Sequence, residues 1–208
     1  MVDQAIVGPP SVSSIGVNST TNLRSGQLGD LIVQDLHGRY YESTYRKSMF
    51  SVSIQSVATT TVGLATTYTG LCLSNPVGSA VNLVLNKCSL MQSVIQSTQV
   101  EAYALAVGFN LTTNVTHTAA ITPQSNFVGS GLTAVAKADT SATLPTAPLY
   151  YMFMTNTGTA TADSTGTQVV DLEGSLILPP GAYACWVTPA QASVAGLWFS
   201  FQWEEIAI

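Results

Sequence analysis

Large apolar side chains in this chain return at every second position. Leu197, Phe199, Phe201 and Trp203 alternate with Ser200, Gln202 and Glu204. Phe50, Val52 and Ile54 follow the same rule, and Val81, Leu83 and Leu85 alternate with Asn82, Val84 and Asn86. A two-residue period sends successive side chains to opposite faces of an extended strand. No segment of useful length combines helical spacing with helix caps. Such a chain must fold into sheets and cover one face of each with another layer.

The remaining strands follow from similar runs and the turn residues between them. Tyr68–Leu73 is a strand ended by the turn cluster Ser74-Asn-Pro-Val-Gly-Ser79. Cys88–Met91 continues the Val81 strand after a local irregularity. Val100–Phe109 places Ala102, Ala104, Ala106 and Gly108 on one nearly bare face, which suits close backbone packing. Leu149-Tyr-Tyr-Met-Phe-Met154 reads as a buried strand. Gln168–Leu172, Leu176–Leu178 and Ala182–Val187 are further strands. Between the last two, Pro179-Pro-Gly181 calls for a tight turn with positive φ at the glycine. Residues 110–146 read as long surface loops with a short strand near His117–Ile121. About eight to ten strands joined by such turns predict an all-β fold, a jelly-roll-like antiparallel β-sandwich over residues 49–208.

Residues 1–48 read as an extended N-terminal arm and connector. The first 29 are rich in Gly, Pro, Ser, Asn and Thr, yet carry Ile6, Val7, Val12, Ile15, Val17 and Leu23. These need cover, and a neighbouring subunit is the expected source. Residues 30–48 hold His37, Arg39, Tyr40, Tyr41, Tyr45, Arg46 and Lys47. A short strand at Asp30–Gln34, then a turn and a second extended piece, are expected here; the alternative to an interface is a solvated connector with local ion pairs such as Arg39 with Glu42. Tyr and Arg are enriched at protein interfaces. The expected partner-binding residues are therefore Ile6, Val7, Val12, Ile15, His37, Arg39, Tyr40, Tyr41, Tyr45 and Arg46.

Charge is scarce. Only 8% of the 208 residues are Asp, Glu, Lys or Arg, against about 25% in an ordinary domain. None lies between Lys47 and Lys87, or between Glu173 and Glu204. Acid–base chemistry, metal binding and phosphate binding draw on these groups, so no enzyme activity, cofactor or metal is expected. The chain has two histidines and no Gly-x-Ser-x-Gly elbow on which to build a hydrolytic triad. Asp171 and Glu173 share a strand face but read as a solvent-facing edge. Glu204 and Glu205 read as a charged cap that keeps the terminal strand unpaired. Cys72, Cys88 and Cys185 read as buried free thiols. A net charge of −5 argues against direct nucleic-acid binding. No apolar run reaches the roughly 18 residues of a membrane helix, and no membrane association is expected; a transmembrane β-barrel, which needs only alternating strands of about ten residues, is the minor alternative. The N-terminus lacks the basic start of a secretory signal, so synthesis in the cytoplasm is expected. A polar surface this poor in charge suits dense assembly with partner chains.

Four segments carry a resemblance: His37-Gly-Arg-Tyr-Tyr-Glu42, Tyr68-Thr-Gly-Leu-Cys-Leu-Ser-Asn-Pro76, Leu176-Ile-Leu-Pro-Pro-Gly-Ala-Tyr183 and Phe201-Gln-Trp-Glu-Glu205. Together they resemble virion structural proteins of tailed bacteriophages. The architecture is similar to that of the β-sandwich cement, or decoration, proteins that sit as trimers on capsids. The resemblance implies a non-enzymatic protein on the phage head surface. It would bind the major capsid protein, form a homo-oligomer, with a trimer expected, and stabilise the assembled shell. The alternative is a head or tail fibre, or receptor-binding module, whose Thr- and Asn-rich loops contact host glycans. A carbohydrate-active virion enzyme, the third possibility, would need a cleft with paired carboxylates.

Overall fold

The computed structural model describes residues 38–55, 63–93, 100–157, 167–189 and 196–208. The chain divides into two compact units, Met1–Tyr41 and Glu42–Ile208. Of the expected arm, Ile6, Val7, Val12, Ile15 and His37, with the strand at Asp30–Gln34, lie outside the described residues.

The described residues begin with a five-residue helix, α1 (Tyr41–Tyr45), and continue as strands. These are β1 (Met49–Ser53), β2 (Thr67–Ser74), β3 (Val81–Gln92), β4 (Val100–Phe109), β5 (Thr116–His117), β6 (Ala120–Ile121), β7 (Gln124–Ser125), β8 (Lys137–Thr143), β9 (Leu149–Thr157), β10 (Thr167–Leu178), β11 (Ala182–Val187) and β12 (Leu197–Ala207). They form two antiparallel sheets packed as a sandwich. One runs β10-β3-β12-β1-β7; the other runs β5-β8-β2-β11-β4-β9, with β6 also paired to β8. The chain changes sheet from β1 to β2 to β3 to β4, and again from β9 to β10 to β11 to β12.

The core lies between the sheets, where the two-residue period points. Phe199, Phe201 and Trp203 of β12 and Leu83, Leu85 and Leu90 of β3 meet Leu71 and Leu73 of β2, Tyr103 and Leu105 of β4 and Trp186 of β11. Trp186 stacks on Phe199 and Phe201 with ring centroids 5.4 and 6.2 Å apart. The expected irregularity in β3 falls at Asn86. Lys87 faces Gln202 while Leu85 faces Trp203, so Asn86 has no opposite number on β12. On the other side, β10 steps from Asp171 to Leu176 across the same point. The bulge lets a buried polar residue sit in the strand, with its amide reaching Met49 Sδ at 3.4 Å.

The seven-stranded sheet has a second, smaller core on its outer face. The bare face of β4 packs there, not against backbone as its small residues imply, but under rings from its neighbours. Ala104 and Ala106 cluster with Tyr68, Cys72, Tyr183, Cys185 and Val187, roofed by Val115 and Leu144. Gly108 has no Cβ because the Tyr183 ring occupies its place. Tyr68 Oη donates to the Trp186 carbonyl at 2.6 Å, and Tyr183 Oη to that of Thr146 at 2.5 Å. The buried hydroxyls are thus satisfied.

The turn at Ser74–Ser79 is tied by Asn75, whose amide donates to the carbonyls of Val81 (2.8 Å) and Leu178 (2.9 Å). Gly181 has φ +86°, and the Ala182 N–H closes the turn onto the Pro179 carbonyl at 2.9 Å, as Pro-Pro-Gly requires.

Several expectations are corrected. Within the expected loop region, Lys137–Thr143 is the strand β8. Residues 41–45 are helical rather than extended: Arg46 Nε pairs with Glu42 Oε1 at 2.7 Å, one helical turn away. Lys47 then takes φ +65°, and the bonds Lys47 N–H to Thr44 O and Ser48 N–H to Ser43 O stop the helix. The terminal strand is not a capped edge. β12 is paired on both sides, by β1 and β3. Glu204 accepts from Ser48 Oγ at 2.9 Å, and the Glu205 carboxylate accepts from the backbone N–H groups of Val135 (3.0 Å) and Ala136 (2.9 Å). The described residues contain no helix long and apolar enough to cross a membrane.

Candidate functional site

Of the expected partner-binding residues, the structure describes Arg39, Tyr40, Tyr41, Tyr45 and Arg46. Arg39, Tyr41, Tyr45 and Arg46 are exposed and Tyr40 is half-buried. Beyond the helix, Lys47 Nζ lies 5.6 Å from the centre of the half-exposed Phe127 ring.

A second surface comes from a strand that periodicity places inside. Among the described residues, β9 pairs only with β4, so it is an edge there. Its residues Leu149 (70% exposed), Tyr151 (42%) and Phe153 (61%) lie open, and Met154 is its buried anchor. The expectation of a buried strand therefore fails for most of β9. The cause is a bulge. Met152 faces Leu105 and Tyr150 faces Ala106, which leaves Tyr151 without an opposite number. The extra residue swings Tyr150 onto the same outer face as Phe153, and their rings meet with centroids 5.1 Å apart. On the described residues, β9 thus offers an edge without a second partner strand, where the Thr155 carbonyl accepts from the Gln168 amide, and aromatic side chains together.

A third surface is a trench on the outer face of the five-stranded sheet, with a volume of about 860 Å³. The register lines up Ser53, Ser200, Ser89 and Val169 across four strands. Ser89 and Ser200 share a hydrogen bond of 2.5 Å. On one side of this row stand Trp198 and Met91; on the other stand Gln202 and Lys87, with Gln124 beyond Ser51. A smaller hollow of about 230 Å³ beside Trp198 shares Ser53, Ser89 and Ser200 with the trench.

The groups with chemical potential are few. His117 Nδ1 lies 2.5 Å from Asp139 Oδ2, and with the carboxylate ionised the N–H donates. Asp139 is 0% exposed, and its Oδ1 has no hydrogen-bond partner. Burial raises its pKa above the ordinary aspartate value, while His117 pulls the other way. Cys72 faces Asp139 across β2 and β8, and Cys185 faces Cys72 across β11 and β2. Burial pushes both thiols up, and Cys88 to about 12. All three cysteines are free and buried. The thiols on this row are held in the unreactive protonated form. The His117–Asp139 pair ties β5 to β8, the edge strand it covers. Asp171 and Glu173 are both exposed on β10, and Asp171 pairs with Lys87 at 3.0 Å. No group of three or more His, Cys, Asp or Glu among the described residues is placed to hold a metal ion.

Periodicity alone missed the β9 edge and the trench. The signal for β9 was present in Tyr150-Tyr151, since a strand buried on both faces rarely carries consecutive tyrosines whose hydroxyls need partners. The trench was legible as Ser51, Ser53, Ser89 and Ser200, small polar residues on the solvent side of neighbouring strands.

No family model, curated protein or solved structure matches this chain.

Proposed function

We propose that the protein is a non-enzymatic structural component of a phage virion, a capsid cement protein that docks on the assembled head and stabilises it. The observation that carries this reading is the β9 edge, where Leu149, Tyr151 and Phe153 stand exposed on a strand that, among the described residues, has β4 as its one partner strand. A strand of this kind costs solubility unless a partner covers it. The partner in this reading is the major capsid protein, with further copies of the chain, arranged as a trimer, on the head surface. The strand order supports a jelly roll: β1-β12-β3-β10 faces β2-β11-β4-β9, which is two interleaved Greek keys with β5–β8 inserted. The N-terminal residues Ile6, Val7, Val12 and Ile15, with His37, Arg39, Tyr40, Tyr41, Tyr45 and Arg46, supply the anchor in the same proposal.

Selective binding to the lattice stabilises it by mass action, and many copies add avidity. With so few charges the contact is apolar and survives about 1 M salt, where the Debye length is about 3 Å. The test is to add purified protein to stripped heads. Bound heads should withstand a higher temperature than bare ones, and equal failure temperatures would overturn the reading. The second reading, a receptor-binding module that contacts host glycans, is favoured by the trench.

A further inference from the structure

We infer that the trench on the outer face of the five-stranded sheet binds a neutral oligosaccharide. The inference rests on the receptor-binding reading and moves the contact from the expected Thr- and Asn-rich loops to a sheet face. The argument starts from side-chain size. Successive outward rows on this sheet are long, short and long. Trp198 and Met91 form the first row, Ser53, Ser200 and Ser89 the second, and Gln202 and Lys87 the third. The short row makes a channel at right angles to the strands. Neighbouring strands are about 4.8 Å apart, so the three serines span roughly 10 Å, room for about two sugar rings. At about 860 Å³ the hollow lies in the size range of small-molecule sites.

The chemistry of the walls selects the ligand. The half-buried Trp198 lines the smaller hollow that shares Ser53, Ser89 and Ser200 with the trench, so an aromatic ring stands at that side of the serine row, and its Nε1–H donates to Ser93 Oγ at 3.1 Å, which fixes the ring. An indole face packs against the C–H face of a sugar ring. Serine hydroxyls and the amides of Gln202 and Gln124 both donate and accept, matching the mixed donors and acceptors of sugar hydroxyls. Among the described residues that line the trench the one cation is Lys87, which is paired with Asp171 at 3.0 Å. The described lining therefore carries no net charge with which to hold a sulfated, phosphorylated or sialylated ligand.

The test uses the full chain and Trp fluorescence. The other two tryptophans, Trp186 and Trp203, are fully buried, so a ligand-dependent change reports Trp198. The probes are linear neutral hexasaccharides of glucose, mannose, galactose and N-acetylglucosamine, with a heparin hexasaccharide as the anionic comparison. At least one neutral probe should shift the emission and saturate. Ser200→Leu, which fills the channel floor, should weaken that binding at least tenfold while the melting temperature stays near wild type. Trp198→Phe keeps a ring and should weaken it less than Trp198→Ala. The inference is overturned if no neutral probe shifts the emission, if the heparin probe binds more tightly than every neutral one, or if Ser200→Leu folds and binds unchanged. It is also overturned if a peptide of residues 1–37 fills the trench and displaces the sugar. None of these outcomes bears on head stabilisation through β9, which is read on stripped heads.

Discussion

β12 and β9 are both rich in large apolar side chains, yet they end in opposite surroundings. In β12, Leu197, Phe199, Phe201 and Trp203 alternate with Trp198, Ser200, Gln202 and Glu204. The strand has a neighbour on each side, and its inward residues are fully buried. In β9 no polar side chain interrupts Leu149–Met154 apart from the two tyrosine hydroxyls, and among the described residues the strand has one neighbour. Alternation tells which face of a strand is buried. An unbroken run tells only that both faces need cover. In β9 part of that cover is missing among the described residues, and the bulge at Tyr151 turns the surplus outward. In the proposed function that shortfall is the docking surface.

The largest effect separates the two strands by stability. Phe201→Ala removes a side chain packed against Trp186 and should cost about 3–5 kcal/mol in urea unfolding. Phe153→Ser, at an exposed position, should stay within about 0.5 kcal/mol. Similar losses from both would erase the contrast and put β9 back in the core.

The next effect concerns binding. Burial of a Leu or Phe side chain contributes about 1.5–3 kcal/mol. Replacing Leu149 and Phe153 together by Lys should then weaken attachment to stripped heads by roughly a hundredfold or more. Circular dichroism should remain β-rich. Unchanged attachment would move the contact away from β9.

A smaller effect tests the other end of the same sheet. There the edge is covered, because β5 and β6 lie against β8 and His117 bonds to the buried Asp139. Burial raises the Asp139 pKa above 3.8, and His117 opposes the rise. A carboxyl raised in the folded state contributes stability below its unfolded value and loses it as pH climbs through the folded value. His117→Ala removes the opposing influence and leaves a buried carboxylate unpaired, at a cost of about 1–3 kcal/mol. The deficit of the variant should grow as pH rises from about 4 toward neutrality, and Asp139→Asn should flatten it. A deficit independent of pH would mean that His117 matters for packing alone.

Most of the fold could be read before the structure, because alternation and turn residues are local properties. β1, β3 and β12 follow from Phe50–Ile54, Val81–Asn86 and Leu197–Trp203, and the bend at Pro179–Gly181 from its own composition. β8 escaped because Lys-Ala-Asp-Thr-Ser-Ala-Thr has no large side chain to mark a period, although Ala138, Asp139 and Ala142 are buried. α1 escaped because five residues are too few for a helical period, and its main local sign is the Glu42–Arg46 spacing. The candidate surfaces were harder still. Whether a strand lies at an edge or in the centre depends on strand order, a non-local property. The trench exists only once the register aligns serines from β1, β12 and β3.

The smallest effect is kinetic and uses the cysteines as reporters of the two layers. Cys88 faces Phe201 of β12 and lies in the main core, and burial pushes its pKa to about 12. Cys72 and Cys185 lie in the outer core under Val115 and Leu144. Neither layer should react with a thiol reagent in the closed state, since the thiolate is the reacting form. The outer core is roofed by segments with few strand contacts, and such regions open locally at lower free energy than central strands. Mass spectrometry after timed alkylation of native protein should find Cys72 and Cys185 modified before Cys88. His117→Ala, which unties β5, should speed Cys72 while leaving Cys88 tied to global unfolding. Equal rates at all three sites would mean that the two cores open as one unit. Cys88 reacting first would mean that β12, not the outer layer, is the loose element.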